Sequence, residues 1–207
     1  NSQKNNGYDY EFIFIEGNSN DKTLEILKTQ LKKFKYEYKI IINKSGTTPK
    51  SLNKGILNSN GSYIVRMDCH SIYPSNYISK LITNHKKYDC DNVGGIIKTI
   101  PNNKSIKAIA ISCAMSSKFC VGPSKFRTSE KSKSKNILFV DTVPFGCFKK
   151  SIFKTVGLFN ENLPRNQDDE FNSRILNQGG KIILDKQLII EYIGRENFVK
   201  LFNMFFQ

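Results

Sequence analysis

Acidic side chains are the scarce charged residues of this chain, 18 Asp and Glu against 32 Lys and Arg, so their positions carry information. Three groups fall where an apolar run gives way to a polar one: Glu16 after FIFI, Asp68 after YIVRM, and the triplet Asp168, Asp169 and Glu170 ahead of a segment of helical period. Asp68 stands in the run Arg66, Met67, Asp68, Cys69, His70. A carboxylate and an imidazole two residues apart at a strand end point to the same side, and both can ligate a divalent ion. The same spacing also fits an Asp that caps a turn beside a surface His. The triplet likewise reads two ways, as acids favoured by the dipole of a helix N-terminus or as carboxylates gathered for chemistry. The dipole accounts well for one or two acids and less well for three, preceded by Arg165 and Asn166 and followed by Arg174. Acids collected in one cleft of a chain with formal charge +14 imply a bound cation or a cationic transition state.

The elements that must position these residues follow from the hydrophobic pattern. Apolar runs of four to six residues alternate with longer segments of helical period, which predicts an α/β fold with a largely parallel sheet. Tyr10 to Ile15 reads as a strand, and Leu24, Leu27, Leu31 and Phe34 then share one helical face. Lys39 to Ile42 is a second strand, and Pro49 opens a helix to about Asn58. Asn60 and Gly61 turn the chain into the strand Tyr63 to Met67, and a helix spans Pro74 to Lys87. Gly94 and Gly95 sit in a further short strand, and Ile137 to Val140 is another. A helix from about Asp168 ends at Gly179 and Gly180, before strands at Lys181 to Leu184 and Leu188 to Tyr192. Phe198, Leu201, Phe202 and Phe205 share a face of a last helix. In an open parallel sheet the carboxyl ends of strands line the ligand crevice, so Glu16 and Asp68 are expected in one cleft. From 116 to 136 the periodicity disappears into Ser, Lys, Gly and Pro, which reads as a flexible loop.

Composition bounds the function classes. With 207 residues, 39% hydrophobic and 12% aromatic, the chain fits one globular domain and excludes a disordered tail, a collagen-like fibre or a disulfide-dense miniprotein. Five widely spaced cysteines, with no Cys-x-x-Cys pair, read as reduced thiols of a cytoplasmic protein. No apolar run approaches the ~20 residues needed to span a bilayer. The lysine excess admits a basic nucleic-acid-binding module, against which stand its scatter and the lack of a helix-turn-helix, zinc or RNP-like signature. His85 reads as a surface or boundary residue of its helix, and Lys131, Lys133 and Lys135 as a solvated part of the loop.

Four blocks in order carry a resemblance to a known family. IEGNSNDKT (15–23) resembles V-D-G-G-S-x-D-x-T; SLNKGILNSNGSYIVRMDCH (51–70) resembles A-L-N-x-G followed by R-x-D-A-H; the segment 140–175 resembles a block ending in N-E-D-x-E-[LF]-x-x-R; and YIGRENFVKLFNMFFQ (192–207) resembles Y-x-x-R leading into a helix. Together they are similar to the inverting glycosyltransferases of family 2, of GT-A fold, and within them to the succinoglycan-biosynthesis type. The family begins with a strand S-V-I-I-P-x-Y-N-E that has no match here, so the first strand of this chain corresponds to the family's second.

The resemblance implies an inverting transfer of a sugar from a nucleotide-sugar donor to a glycan or lipid-linked acceptor in surface polysaccharide biosynthesis, with Mg2+ or Mn2+ as cofactor. It implies that Asp168, six residues before Arg174, is the general base, with Gln167 in place of the family's Glu. Asp68 takes the place of the acid nearest the metal and diphosphate, and His70 that of the second metal-binding acid. Glu16 corresponds to the base- or ribose-binding acid, and Asn53, Lys54 and Arg195 are further donor contacts. Asp169, Glu170 and Arg174 are supporting residues on the acceptor side. The base is expected to keep a low pKa beside metal and cations. Location at the inner face of the cell membrane, against an anionic lipid surface, is a further implication, and a transferase-like domain of weak or no activity is the alternative within the same family.

Overall fold

The computed structural model describes residues 3–4, 7–122, 124–128 and 135–205. In chain order the elements are β1 (Glu11–Glu16), α1 (Thr23–Leu31), β2 (Glu37–Ile42), α2 (Thr48–Leu57), β3 (Tyr63–Val65), β4 (Ser71–Ile72), α3 (Tyr77–Tyr88), β5 (Asn92–Ile100), α4 (Ile106–Met115), α5 (Lys118–Val121), α6 (Lys125–Thr128), β6 (Ile137–Phe139), β7 (Cys147–Lys149), α7 (Ile152–Thr155), α8 (Gln167–Asn177), β8 (Ile182–Ile193) and α9 (Phe198–Phe205). The expected α/β class holds, with one refinement: the strands form two sheets. β1 and β2 pair in parallel, and a mixed sheet runs β3-β7-β5-β8-β4 with β6 added on β8. The two longest ladders, β1 with β2 and β5 with β8, are the parallel ones. Antiparallel pairs surround β5 and β8 at β7, β4 and β6.

The period-2 strands sort their side chains onto two faces. Along β5, Val93 and Ile97 join α3 residues Tyr77, Ile78, Leu81 and Ile82 in one core, while Ile96 faces the other way. That second core is built from Phe148, Phe153, Phe159, Phe171 and Ile175, with the Phe159 and Phe171 rings 4.6 Å apart. Helices thus cover both faces of the mixed sheet. In the smaller sheet Phe12 and Phe14 share a face, both edge-on to Phe34. Leu24, Leu27, Leu31 and Phe34 are the residues of the α1 segment turned inward, as their spacing predicts.

Four departures from the sequence pattern have physical causes. The two expected strands after Gly180 are one strand, β8, in which Lys186, Gln187 and Leu188 bulge between the partners of Gly95 and Ile96. Gly95 allows this, because a Cβ there would lie 2.3 Å from the Leu188 carbonyl oxygen. His85 is buried rather than exposed, with ring nitrogens 2.9 Å from the Cys90 carbonyl oxygen and 2.7 Å from that of Cys147. It lies three and four residues beyond Ile82 and Leu81 and so continues their inward face. Helix α4 falls in a stretch without amphipathic period, because it is apolar on more than one side. Within 116–136 the one-turn helices α5 and α6 replace part of the expected loop, while Lys131 and Lys133 lie outside the described residues. No disulfide joins the five cysteines, of which Cys90 and Cys147 are buried.

Candidate active site

β3 delivers the segment 66–70 at its carboxyl end, held where the Arg66 N–H donates to the Gly146 carbonyl. Arg66 and Asp68 are two apart and point the same way, so the Arg66 guanidinium forks onto its neighbour: Nε to Oδ1 at 2.8 Å and Nη2 to Oδ2 at 2.9 Å. Its remaining nitrogen, Nη1, donates to both oxygens of Asp168 at 2.8 and 2.9 Å, across 102 residues of sequence. One nearly buried cation, with a side chain 9% exposed, therefore binds two carboxylates. Desolvation disfavours the charged guanidinium, but the two acids outweigh it and its pKa rises. The Arg66 plane lies 5.2 Å from the centre of the Phe145 ring.

Phe145 is one of the non-glycine residues with positive φ, at 51°. Tyr77 Oη donates to its carbonyl oxygen at 3.1 Å and fixes that backbone, so the strained residue sits under the charged centre. Asn166, at φ 57°, makes a second such turn immediately before α8 and sets Asp168 in the first turn of that helix. Asp68 is fixed in turn by its own N–H, which donates to Tyr73 Oη at 2.7 Å. Burial holds the Tyr73 hydroxyl neutral, its pKa pushed up to about 12.

Asp168 departs from expectation in its proton affinity. Its pKa is raised above the ordinary Asp value, because burial disfavours the carboxylate more than Arg66 favours it, and the nearby Asp68 and Asp169 charges add to the effect of burial. His70 is shifted down by burial and by Arg195 and Arg66, against the pull of Asp68, which favours the neutral imidazole. Its ring packs edge-on to Tyr192 at 4.8 Å, and its carbonyl accepts from the Ile193 N–H. Tyr192 also carries Arg127 of α6, 5.7 Å from the ring centre, whose Nη1 donates to Thr99 Oγ1 at 3.0 Å. Asp68, Asp168, His70 and Arg195 are thus brought together at the ends of β3, β8 and α8.

The other expected site residues have different surroundings. Glu16 is buried at the end of β1, where its carboxylate accepts the Asn18 and Ser19 N–H groups at 2.8 Å each; the Ser19 side chain, together with these backbone groups, lowers its pKa. Asn53 is buried in α2 and pairs both ways with the Phe159 backbone, at 2.9 and 3.0 Å. Lys54 donates to the Ile42 carbonyl at 3.2 Å. Asp169 accepts from Thr142 Oγ1 at 2.7 Å, and Thr142 is held by Asn172, which Asn92 holds from β5. Glu170 and Arg174 form a bidentate i,i+4 pair, while Arg174 also donates to the Val156 and Leu158 carbonyls and tethers α8 to the turn after α7. Arg66, Tyr73, Phe145, Tyr192 and Arg127 are the residues that the motif reading did not single out. The i,i+2 spacing of Arg66 and Asp68 was the available signal for the first, whereas the rest depend on tertiary contacts.

Among the described residues no group of three or more His, Cys, Asp and Glu side chains is placed to hold a metal ion. Asp68 and His70 offer one carboxylate and one neutral imidazole, a donor set that fits Mn2+ when phosphate oxygens and water complete its shell. No helix among the described residues is long and apolar enough to cross a membrane.

The family model for glycosyl transferase family 2 matches residues 1–157. Over 200 residues the chain is 28% identical to a dolichyl N-acetyl-α-D-glucosaminyl phosphate 3-β-D-2,3-diacetamido-2,3-dideoxy-β-D-glucuronosyltransferase of Methanococcus voltae, covering 92% of this chain and 59% of that protein. It is 25% identical to the succinoglycan biosynthesis protein ExoA of Rhizobium meliloti (strain 1021), covering 94% of this chain and 57% of the relative. The chain therefore spans somewhat more than half the length of these relatives. Among solved structures, GalNAc-T7 with UDP, GalNAc and Mn2+ superposes with TM-score 0.70 at 16% identity, over 93% of this chain and 39% of that one. Residues 1–349 of S. aureus TarS in complex with UDP-GlcNAc give 0.65 at 14% identity, over 95% and 53%. These superpositions show the fold, which is GT-A.

Proposed function

The chain belongs to glycosyltransferase family 2, and on that premise we propose that it transfers a sugar from a nucleotide-sugar donor to a glycan or lipid-linked acceptor, with inversion, in surface polysaccharide biosynthesis. The observation that carries this reading is the sharing of Arg66 by Asp68 and Asp168, which gathers two carboxylates from distant parts of the sequence into one partly buried centre. Support comes also from the relatives, a glucuronosyltransferase acting on a dolichyl-linked sugar and a succinoglycan biosynthesis protein.

In this reading Asp168 is the general base. Its carboxylate removes the proton of the acceptor hydroxyl as that oxygen attacks the anomeric carbon, and the bond to the nucleoside diphosphate breaks with its electron pair leaving on the phosphate oxygen. A pKa raised toward the working pH makes Asp168 a stronger proton acceptor, while Arg66 orients it and retains Asp68. Asp68 and His70 are the residues that would hold a divalent cation, which when bound supplies positive charge to the leaving diphosphate. Arg195, exposed and electrostatically coupled to His70, adds charge from the end of β8. Glu16 and Lys54, at the ends of the small sheet and on α2, are assigned to the nucleoside side; Asn53 supports that side through the fold. Asp169, Glu170 and Arg174 hold α8 and with it the base.

The test is transfer to acceptor and donor hydrolysis, with and without Mn2+, for the wild type and Asp168→Asn. Loss of the base is expected to slow turnover by about 10²–10⁴-fold, with donor binding retained in a thermal-shift panel of nucleotide sugars. Undiminished turnover in Asp168→Asn would remove Asp168 from this role.

A further inference from the structure

Helix α4 is apolar on two faces. Ala108 and Ile111 are buried on its inner side against β5. Ile106, Ile109, Ala110 and Cys113, at i, i+3, i+4 and i+7, form a second stripe on its exposed side. Ile106 is 86% exposed and Ile109 46%, and in the adjoining α5 Phe119 is 97% exposed. Isolated exposed apolar residues are ordinary, whereas a run of them along one helix and into the next marks a contact surface. Exposed Lys104, Lys107, Lys118 and Lys125 border it. Along the sequence these helices lie in a cationic stretch: from Asn92 to Val140 there are nine Lys and Arg against a single acid, Glu130.

We propose that the outer face of α4 and α5 binds an anionic lipid bilayer, with Ile106, Ile109 and Phe119 at the boundary of headgroups and acyl chains and Lys104, Lys107 and Lys118 against acidic headgroups. The mixture of aliphatic stripe and lysine border selects lipid over nucleic acid. A polynucleotide gives lysines their phosphates but offers no apolar phase to isoleucine, and its single strands are read by aromatic stacking in a basic groove. The same segment reaches the candidate active site, because α6 follows α5 closely and sets Arg127 on the Tyr192 ring that packs against His70. A bilayer held at α4 would present a lipid-borne acceptor from that side. The inference deepens the function proposed above and rests on it for the acceptor alone; the lipid contact itself requires no turnover.

The experiment is co-sedimentation of the chain with phosphatidylcholine vesicles that contain or lack phosphatidylglycerol. The variants are Ile106→Ser with Phe119→Ser, and Lys104→Gln with Lys107→Gln and Lys118→Gln. All five side chains are exposed, so unchanged circular dichroism and melting are expected and serve as the folding control. The wild type should partition onto the anionic vesicles. The lysine triple should lose about a hundredfold in partitioning and the serine pair about tenfold or more. Asp168→Asn should partition as the wild type does, which separates failure of this inference from failure of the enzymatic one. Absence of wild-type binding to anionic vesicles overturns the proposal, and so does a serine pair that binds undiminished. Tighter binding to a single-stranded oligonucleotide than to vesicles, insensitive to the serine pair, would reassign the surface to nucleic acid.

Discussion

Replacing Arg66 by Met removes the cation that two carboxylates share while keeping much of its apolar stem. The Arg66 side chain is 9% exposed and those of Asp68 and Asp168 are 20% and 19% exposed, so solvent reaches the centre only in part. Removing one partner of a buried ion pair costs about 3–5 kcal/mol, because the remaining charge is left uncompensated. Partial hydration of the acids argues for the lower end, about 3 kcal/mol. For a chain of this size that corresponds to a fall in Tm of roughly 6–12 °C, and to a large share of the ~5–15 kcal/mol typical of a folded domain. The deficit should depend on pH. Without Arg66 the native Asp168 carboxylate, already raised above its ordinary value, lies further above its counterpart in the unfolded chain, so protonation favours the native state and stability falls as pH rises. Urea unfolding followed by circular dichroism should therefore show the full deficit at neutral pH and a smaller one in mild acid. Adding Asp168→Asn should recover part of the loss, since it removes one of the two like charges. A deficit below about 1 kcal/mol, or one that is the same at both pH values, would refute the view that this arginine neutralises the centre.

Three further outcomes follow from the same structure. The acid limb of the turnover profile should lie above the ordinary Asp range, because Asp168 is raised by burial and by its acidic neighbours; activity falls as pH drops through that value, and an inflection at the usual Asp pKa would contradict the assignment. Gly95→Ala should destabilise by about 3 kcal/mol in chemical unfolding, since the new methyl meets the Leu188 carbonyl oxygen at 2.3 Å and neither strand can yield easily. Phe171→Ala, at the centre of the rings contributed by Phe148, Phe153 and Phe159, should cost about 3–5 kcal/mol and release α8, so stability and turnover should fall together.

What the sequence discloses about this fold is chiefly periodic. The strands β1 and β2, the helix faces of α1 and α3 and the stop of α8 at Gly179 all follow from spacing. Asp68 and Asp168 were legible as strand-end and helix-start acids and as matches to a motif. Their convergence on Arg66 was not, because a contact across 102 residues leaves no local pattern. The bulge of β8 was misread as a break for a similar reason: Leu188 needs the missing side chain of Gly95 on another strand. His85 shows the limit of hydrophobic counting, since a polar side chain whose nitrogens find backbone carbonyls can occupy an apolar face. The proton affinity of Asp168 depends on how much solvent reaches it, which motifs do not encode.

The division of the strands into two sheets has a consequence for behaviour in solution. Among the described residues β1 pairs with β2 alone and β3 with β7 alone, so each keeps one edge of backbone donors and acceptors unmatched. The interior of β1 reads Phe12, Ile13, Phe14, Ile15, an uncharged run of high β-propensity of the kind that recruits like segments from other molecules. Its guards are Glu11 and Glu16 at the two ends, whose carboxylates accept backbone N–H groups from Gly61 and from Asn18 and Ser19. Both acids have lowered pKa values, so these guards stay charged well into mild acid. Where that edge takes up no further strand of the same protein, self-association is expected to begin at β1, and to set in where the pH is low enough to discharge its terminal glutamates.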